Sequence, residues 1–421
     1  MEKNGTVMDY LRWRGDLPFT RDGFNEVDDL VLCIISYINF RRFEDLRTTD
    51  PARAVALPEV AARLTEEDEQ LGLSELDYIP LMRLAAETER FREVRMFGFT
   101  HEYDEVKEMQ FDAVSYLLPD DTLLVSFMGT DTSLVGWKED FNMSFETEVP
   151  AQRDAVAYAQ HVAKAIDLPL IVGGHSKGGN LAAYAGMFVD EATRARIQTV
   201  YNFDGPGFNE ATISSEEFGK VDMRIRTFVP QSSMIGILMW HREPFTIVRS
   251  NGVGVFQHDA YTWQIMGGDF IKLSERTGHS HFADDTIKRW LEELKPDMRR
   301  QAIDGIYAVL SASNGMNVSD LFEARNTMSV LKAAGAMDEK TRSAVLEAFR
   351  LLGSSMIGGV PAWLERTASS VAQKMPWEQR REEARAEAKI EARAETRSER
   401  RSETRLEAEA KARENAPELA K

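Results

Sequence analysis

Residues 173–180 constrain the fold more than any other part of the chain, because they require a sharp turn between a strand and a helix. The apolar run 170–172 leads into this stretch, and the alanine-rich run 181–185 leads out of it. A serine at the apex of such a turn, Ser176, has strained backbone, and small residues on both sides let the strand and the helix approach closely. The sequence therefore predicts a strand–turn–helix unit that holds the Ser176 hydroxyl above the edge of a sheet.

The chemistry that this turn favours is nucleophilic catalysis by Ser176. Its hydroxyl would lie beside the first N–H groups of a helix, where a developing oxyanion is stabilised. A serine nucleophile also needs a base, an acid that orients the base, and a second oxyanion donor. These partners must come from elsewhere in the chain.

His258 is the leading candidate for the base among the seven histidines. His101 and His161 precede the serine, whereas the histidine of an α/β-hydrolase follows it. His175 lies within the turn and is directed away from the nucleophile. His258 lies in a loop after the last predicted strands, where such a base is placed, and His241 is the alternative.

The acid is predicted to be Asp204, which ends the strand-like run 200–203 and opens the turn 205–207. That position puts it at the same sheet edge as Ser176. A purely turn-forming role for Asp204 stays open, with Asp222 as the second candidate. Asp259 is interpreted as a helix cap.

The oxyanion donors are predicted on the loop 129–132, which follows the strand-like run 123–128. The backbone N–H of Thr130, reinforced by its hydroxyl, and the backbone N–H of Lys177 form the expected pair. The Lys177 side chain has two interpretations: it favours a substrate with an acidic group, or it pairs with a carboxylate of the protein surface, and the pairing is preferred.

Three segments together resemble the class-3 lipases: residues 125–130, 136–141 and 174–179. The resemblance covers roughly residues 90–270 and is closer still to a bacterial family of unknown function related to these lipases, in which lysine follows the serine. It implies Ser176 as nucleophile, Thr130 as oxyanion residue and His258 as base.

The same resemblance implies that Trp137 and Asp140 are scaffold for the oxyanion loop. The sequence departs from the lipase pattern at Met128, where the lipases carry arginine. It departs again before Val229-Pro230, where they carry the catalytic aspartate and this chain has Thr-Phe. The acid must therefore come from another position, which favours Asp204.

Composition excludes several classes of partner. The net charge of −18 argues against a nucleic-acid-binding surface, and one cysteine, Cys33, permits no internal disulfide and fits a reducing cytoplasm. No signal peptide is recognised at the start, and the longest apolar run, 30–40, is too short to span a bilayer. The pair His279 and His281 has no third ligand at a recognisable spacing, so neither a metal nor another cofactor is expected.

The predicted organisation is a helical segment (1–88), an α/β-hydrolase-like core with a mainly parallel sheet (89–283), a helical region (284–375) and a charged tail (376–421). The tail from 378 onward carries equal numbers of acidic and basic residues, twelve of each, so the net charge belongs to the folded body. It is interpreted as a solvated helix or disordered, with a helix that associates with other tails as the alternative. The apolar run 233–240 either lines an acyl pocket or is a buried strand or helix.

These observations predict a cytoplasmic serine hydrolase that cleaves a small-molecule or lipid-like ester through an acyl-enzyme. Amide or thioester cleavage is a variant that sequence does not separate from it. The alternative from another class is a catalytically degraded hydrolase fold that acts as a binding or scaffold protein.

Overall fold

In a computed structural model of the chain, the structure describes residues 5–69, 78–131, 133–144, 146–278 and 280. The predicted helical region 284–375 and the charged tail 376–421 lie outside these residues, and so do His279 and His281.

The described residues form a mixed α/β structure. Its strands are β1 Val55–Ala56, β2 Arg95–Asp104, β3 Met109–Leu117, β4 Leu123–Phe127, β5 Leu170–His175, β6 Ile197–Phe203, β7 Ile225–Pro230, β8 Phe245–Val248, β9 Ile265–Met266, β10 Asp269–Phe270 and β11 Lys272–Leu273. Its helices are α1 Val7–Arg14, α2 Glu26–Ile35, α3 Leu57–Arg63, α4 Tyr78–Glu87, α5 Leu134–Asn142, α6 Pro150–Ala165, α7 Lys177–Phe188, α8 Glu191–Arg196, α9 Glu210–Ile213 and α10 Glu216–Gly219. None of the helices in the described ranges is long and apolar enough to cross a membrane.

The main sheet has the strand order β1-β2-β3-β4-β5-β6-β7-β8-β11. Strands β4 to β8 run parallel to one another, which confirms the predicted α/β architecture with a parallel centre. Antiparallel strands flank this centre, β1 to β3 on one side and β11 on the other. The sequence did not predict β2, in which the pairing register shifts between Phe97 and Thr100 and charged residues interrupt the apolar alternation.

Two hydrophobic cores cover the two faces of the sheet. Leu124 and Ile171 join the core that contains α1, α2 and α4. Their neighbours Leu123, Val125 and Val172 join the core that contains α6 and α7. Successive strand residues point to opposite faces, so the continuous apolar runs of the central strands supply both cores at once.

Helix α2 lies against the strand that carries the predicted nucleophile. Asn25 begins it by accepting hydrogen bonds from the N–H groups of Val27 and Asp28, and the Asp28 side chain accepts one from the Asn25 N–H in return. This reciprocal cap satisfies donors that a helix start otherwise leaves unpaired. Residues Val27 to Ile35 are all buried, as expected for a helix without a polar face.

Asp29 is a buried carboxyl of α2 that faces β5. A Cβ built at Gly173 would lie 2.2 Å from Asp29 Oδ1, so only glycine fits on the strand at that point. Cys33 donates to the same oxygen across 3.2 Å. Burial raises the pKa of Asp29 to about 8, and the nearby Asp28 adds to the effect.

We expect Asp29→Asn to flatten the dependence of stability on pH. In the wild type the folded state keeps the Asp29 proton up to about pH 8, whereas the unfolded chain releases it near pH 4. The free energy of unfolding should therefore fall by about 1.4 kcal/mol for each unit of rising pH within that window, and asparagine removes this contribution.

Urea unfolding at intervals between pH 4 and 8 measures the free energy of unfolding as a function of pH for the wild type and for Asp29→Asn. Asp167→Asn, which changes an exposed carboxyl, is the control for loss of a charge. Parallel curves for the wild type and Asp29→Asn would contradict the prediction.

Candidate active site

Ser176 lies at the apex of the turn between β5 and α7. Its backbone has φ 59° and ψ −132°, a conformation that non-glycine residues rarely adopt and that accompanies functional strain. A Cβ at Gly174 would lie 2.1 Å from the Gly178 carbonyl oxygen, and one at Gly178 would lie 2.1 Å from the Phe127 carbonyl oxygen. The glycines are therefore required by close backbone approach, as the motif predicts.

The sheet register puts Ser176 and Asp204 side by side. His175 of β5 is paired with Phe203 of β6 in parallel register, and Ser176 and Asp204 are the next residues on their chains. The Ser176 N–H donates to the Phe203 carbonyl across 2.9 Å, which fixes that relation. Both residues therefore project from the carboxyl edge of the parallel strands.

Asp204 and His258 form a buried pair. His258 Nδ1 lies 2.7 Å from Asp204 Oδ2. The other carboxylate oxygen, Oδ1, accepts from the Ser233 hydroxyl at 2.5 Å and from the Gly236 N–H at 3.1 Å. A carboxylate that already accepts two hydrogen bonds favours a proton on His258 Nδ1, so the lone pair of the imidazole is on Nε2.

One narrow cleft of about 30 Å³ collects the predicted residues. Its lining consists of Ile34, Tyr37, Tyr78, Thr130, His175, Ser176, His258, Asp259, Ala260 and Tyr261. The structure thus brings together Ser176, His258 and Thr130 on one surface, with Asp204 buried behind His258.

Of the other candidates, His241 and Asp222 do not join this cleft. His241 Nδ1 lies 2.9 Å from Glu243, a residue outside the cleft lining. Asp222 begins the short turn before β7, at the amino end of that strand, and pairs with Arg242. Asp259 lines the cleft through its position beside His258, and its carboxylate accepts the Tyr261 N–H as a cap.

The oxyanion loop is held against the nucleophile. A Cβ at Gly129 would lie 2.9 Å from Ser176 Cβ, so the loop and the turn are in direct contact. The Thr130 hydroxyl donates to Asp140 Oδ2 at 2.5 Å. The hydroxyl proton of Thr130 is therefore directed to Asp140. The backbone N–H of Thr130 is a second donor, and Asp140 does not engage it. Burial raises the pKa of Asp140 to about 6, although Lys177 and the Thr130 hydroxyl favour its ionised form.

The Lys177 side chain is fully buried behind the turn. Its ammonium donates to the Gln110 carbonyl and to Gln110 Oε1, each at 2.7 Å, and to Glu139 Oε2 at 3.0 Å. Burial opposes the charge, but Glu139 and Asp140 outweigh it and raise the pKa of Lys177. The expected pairing with a carboxylate is therefore found, with a buried partner in place of a surface one.

A family model described as Mbeg1-like matches residues 85–308. The chain belongs to the Mbeg1-like family. The matched range contains Thr130, Ser176, Asp204 and His258, so the whole predicted site lies inside the Mbeg1-like region. No curated protein matches the chain.

Solved structures with some similarity to this Mbeg1-like chain include lipases. The M37 lipase is 12% identical, with coverage of 51% of this chain and 70% of the other and a TM-score of 0.33. MDLA from Penicillium cyclopium, in a mutant form, is 13% identical, with coverage of 53% and 78% and a TM-score of 0.31. The Lip2 lipase from Yarrowia lipolytica is 10% identical, with coverage of 56% and 87% and a TM-score of 0.30.

The N-terminal residues of the cleft lie outside the Mbeg1-like match and were missed by the sequence analysis. Ile34 and Tyr37 come from the end of α2 and the turn after it, and Tyr78 begins α4. The rings of Tyr37 and Tyr78 stack at 5.3 Å between centroids. No local pattern distinguishes these tyrosines from core aromatics, because their role arises only when α2 packs on β5.

The apolar run 233–240 forms turns and is neither a strand nor a regular helix. Its residues are not among those that line the cleft. It contacts the Mbeg1-like site through Asp204, which accepts from the Ser233 hydroxyl and the Gly236 N–H.

Proposed function

We propose that this chain is a serine hydrolase with an α/β-hydrolase-like fold that cleaves carboxylic esters through an acyl-enzyme. The observation that carries the proposal is the 2.7 Å contact between His258 Nδ1 and Asp204 Oδ2, behind a cleft that Ser176 and His258 both line. A nucleophile, a base and an orienting acid at one sheet edge are the parts that acyl transfer needs.

In the acylation step, His258 Nε2 takes the proton of the Ser176 hydroxyl as the serine oxygen attacks the ester carbonyl. The backbone N–H groups of Thr130 and Lys177 stabilise the negative charge on the tetrahedral intermediate. His258 then gives the proton to the leaving alkoxide, the carbon–oxygen bond of the ester breaks, and an alcohol departs.

In the deacylation step, water replaces the alcohol. His258 takes a proton from the water as its oxygen attacks the acyl carbon, and returns that proton to Ser176 when the acyl–serine bond breaks. Asp204 stays ionised throughout and stabilises the imidazolium that forms in each half of the cycle. The products are a carboxylic acid and the regenerated serine.

The buried acid bears on the choice between an enzyme and a degraded scaffold. The scaffold alternative rests on the absence of an aspartate before Val229-Pro230 and on the charged tail. Asp204 supplies a carboxylate to His258 from the neighbouring strand, and its full set of hydrogen bonds supports a role in orienting the base. The narrow cleft favours a small acyl group at the serine.

A fluorophosphonate probe tests the proposal. We expect the wild type to be labelled at Ser176, identified by mass spectrometry of the modified peptide, and Ser176→Ala to remain unlabelled. Ser274→Ala, which changes an exposed serine, is the matched control and should be labelled like the wild type. A wild type that takes up no probe would refute the proposal. If the wild type is labelled, a panel of ester, thioester and anilide substrates identifies the bond that is cleaved.

A further inference from the structure

His175, the residue before the nucleophile, connects two parts of the cleft. Its Nε2 lies 2.8 Å from the main-chain carbonyl oxygen of His258, and its Nδ1 lies 3.0 Å from the Tyr37 hydroxyl. The rings of His175 and His258 also stack, with centroids 4.6 Å apart and planes inclined by 30°. The main-chain carbonyl and the ring of His258 therefore both contact the His175 side chain.

The hydrogen bonds define which nitrogen of His175 carries the proton. A carbonyl oxygen only accepts, so Nε2 is the donor toward His258. Burial, reinforced by the nearby His258, lowers the pKa of His175 to about 3, so the ring is neutral and Nδ1 has no proton. The Tyr37 hydroxyl must then donate to Nδ1, and that donation selects the tautomer.

Tyr37 also contacts the oxyanion loop. A Cβ built at Gly129 would lie 2.1 Å from the Tyr37 hydroxyl oxygen, and the same hydroxyl lies 3.4 Å from the His175 carbonyl oxygen. One phenol thus meets the loop before Thr130, the end of β5 and the ring of His175. Tyr37 itself is buried, so this arrangement does not depend on solvent.

We infer that Tyr37 and His175 are positioning residues for the base: Tyr37 fixes the His175 ring, and His175 holds the main chain and the imidazole of His258 in the cleft that Ser176 also lines. The inference rests on the proposed function, since it assigns the parts that align that same site. The short 3₁₀ helix Gly254–His258 carries the base on a loop, and a loop needs such a contact to hold an imidazole within a fraction of an ångström.

The test compares two substitutions of similar size at His175. His175→Gln keeps an N–H that reaches the His258 carbonyl, and His175→Met removes it. The rate constant for fluorophosphonate labelling should fall by about 30- to 100-fold in His175→Met, because a misplacement of about 1 Å in an active site costs that order of rate. It should stay within about threefold of the wild type in His175→Gln, by rescue of the hydrogen bond.

Two further variants sharpen this comparison. Tyr37→Phe removes the donor that selects the tautomer and should slow labelling by about tenfold. His161→Met changes an exposed histidine of α6, whose ring contacts Thr49, and should leave the rate unchanged. Equal labelling rates for His175→Met and the wild type would overturn the inference, as would equal losses in the Gln and Met variants.

Histidine NMR with ¹³Cε1 label decides the same point without any turnover. The signal of His258, identified by its absence from His258→Gln, should be a single sharp line in the wild type and His175→Gln and should broaden or split in His175→Met. The inference would also be overturned if the His258 signal of His175→Met kept the line shape and the pH dependence that it has in the wild type. If the wild type resists the probe, the proposed function fails, and this NMR comparison alone then decides the positioning role.

Discussion

Asp204→Asn should slow labelling of Ser176 by about 10³- to 10⁴-fold, the loss expected when the acid of a serine–histidine–aspartate site can no longer fix the tautomer of the base. The Ser233 hydroxyl and the Gly236 N–H both donate to one side of this residue, so the asparagine oxygen will face them. Its NH₂ group then faces His258 Nδ1 and makes that nitrogen an acceptor. The proton moves to Nε2, which can no longer take one from Ser176.

The fluorophosphonate rate constant measures this effect, and circular dichroism checks that the variant is folded. Asp222→Asn is the control, since Asp222 was the second candidate for the acid and lies at the amino end of β7. We expect Asp222→Asn to be labelled at the rate of the wild type. A normal labelling rate in Asp204→Asn, or a large loss of rate in Asp222→Asn, would show that Asp204 is not the acid.

Lys177→Met should have the largest effect on stability, with a loss of about 3–5 kcal/mol in the free energy of unfolding. The ammonium donates three hydrogen bonds inside the protein, and the pair with Glu139 has no exposed atoms on either side chain. Removing the cation leaves the Glu139 carboxylate buried without a counter-charge. The N–H groups of Gln110 and Ala151 still reach it, so the loss comes mainly from the charge.

Chemical unfolding measures the loss, and the double variant Lys177→Met with Glu139→Gln tests its cause. The double variant should recover part of the stability, because no unpaired charge stays buried. Lys220→Met is the matched surface control, since Lys220 pairs with Glu216 and Glu217 in solvent and should matter much less. Single and double variants of equal stability would show that the charge is not the cause.

Much of the fold around the site follows from local sequence. The strand before Ser176 begins with a continuous apolar run, 170–172, and the strand before Asp204 ends in the mainly apolar run 200–203. Such runs bounded by turn residues predict buried parallel strands. The strand-like run predicted at 200–203 lies within β6. The antiparallel strand β2 escaped prediction because its apolar alternation is broken and its register shifts.

The candidate site was less predictable than the fold, since it depends on packing between distant elements. Chain order and loop position suggested His258, and strand-end position suggested Asp204, but neither reveals a hydrogen bond between them. The burial of Lys177 against Glu139 likewise depends on where α5 packs. Tyr37 carried no signal at all, because a single tyrosine after a hydrophobic helix looks like core.

Local sequence is enough to set the turn at Ser176. Glycines at 174 and 178 and a serine between a strand and a helix leave one backbone solution, and local sterics enforce it. The surroundings of that serine depend on long-range packing: the parallel register that sets Asp204 beside it, the loop that brings His258, and the N-terminal tyrosine that reaches His175. These are contacts between residues far apart in the chain, and they exist only once the two faces of the sheet are covered.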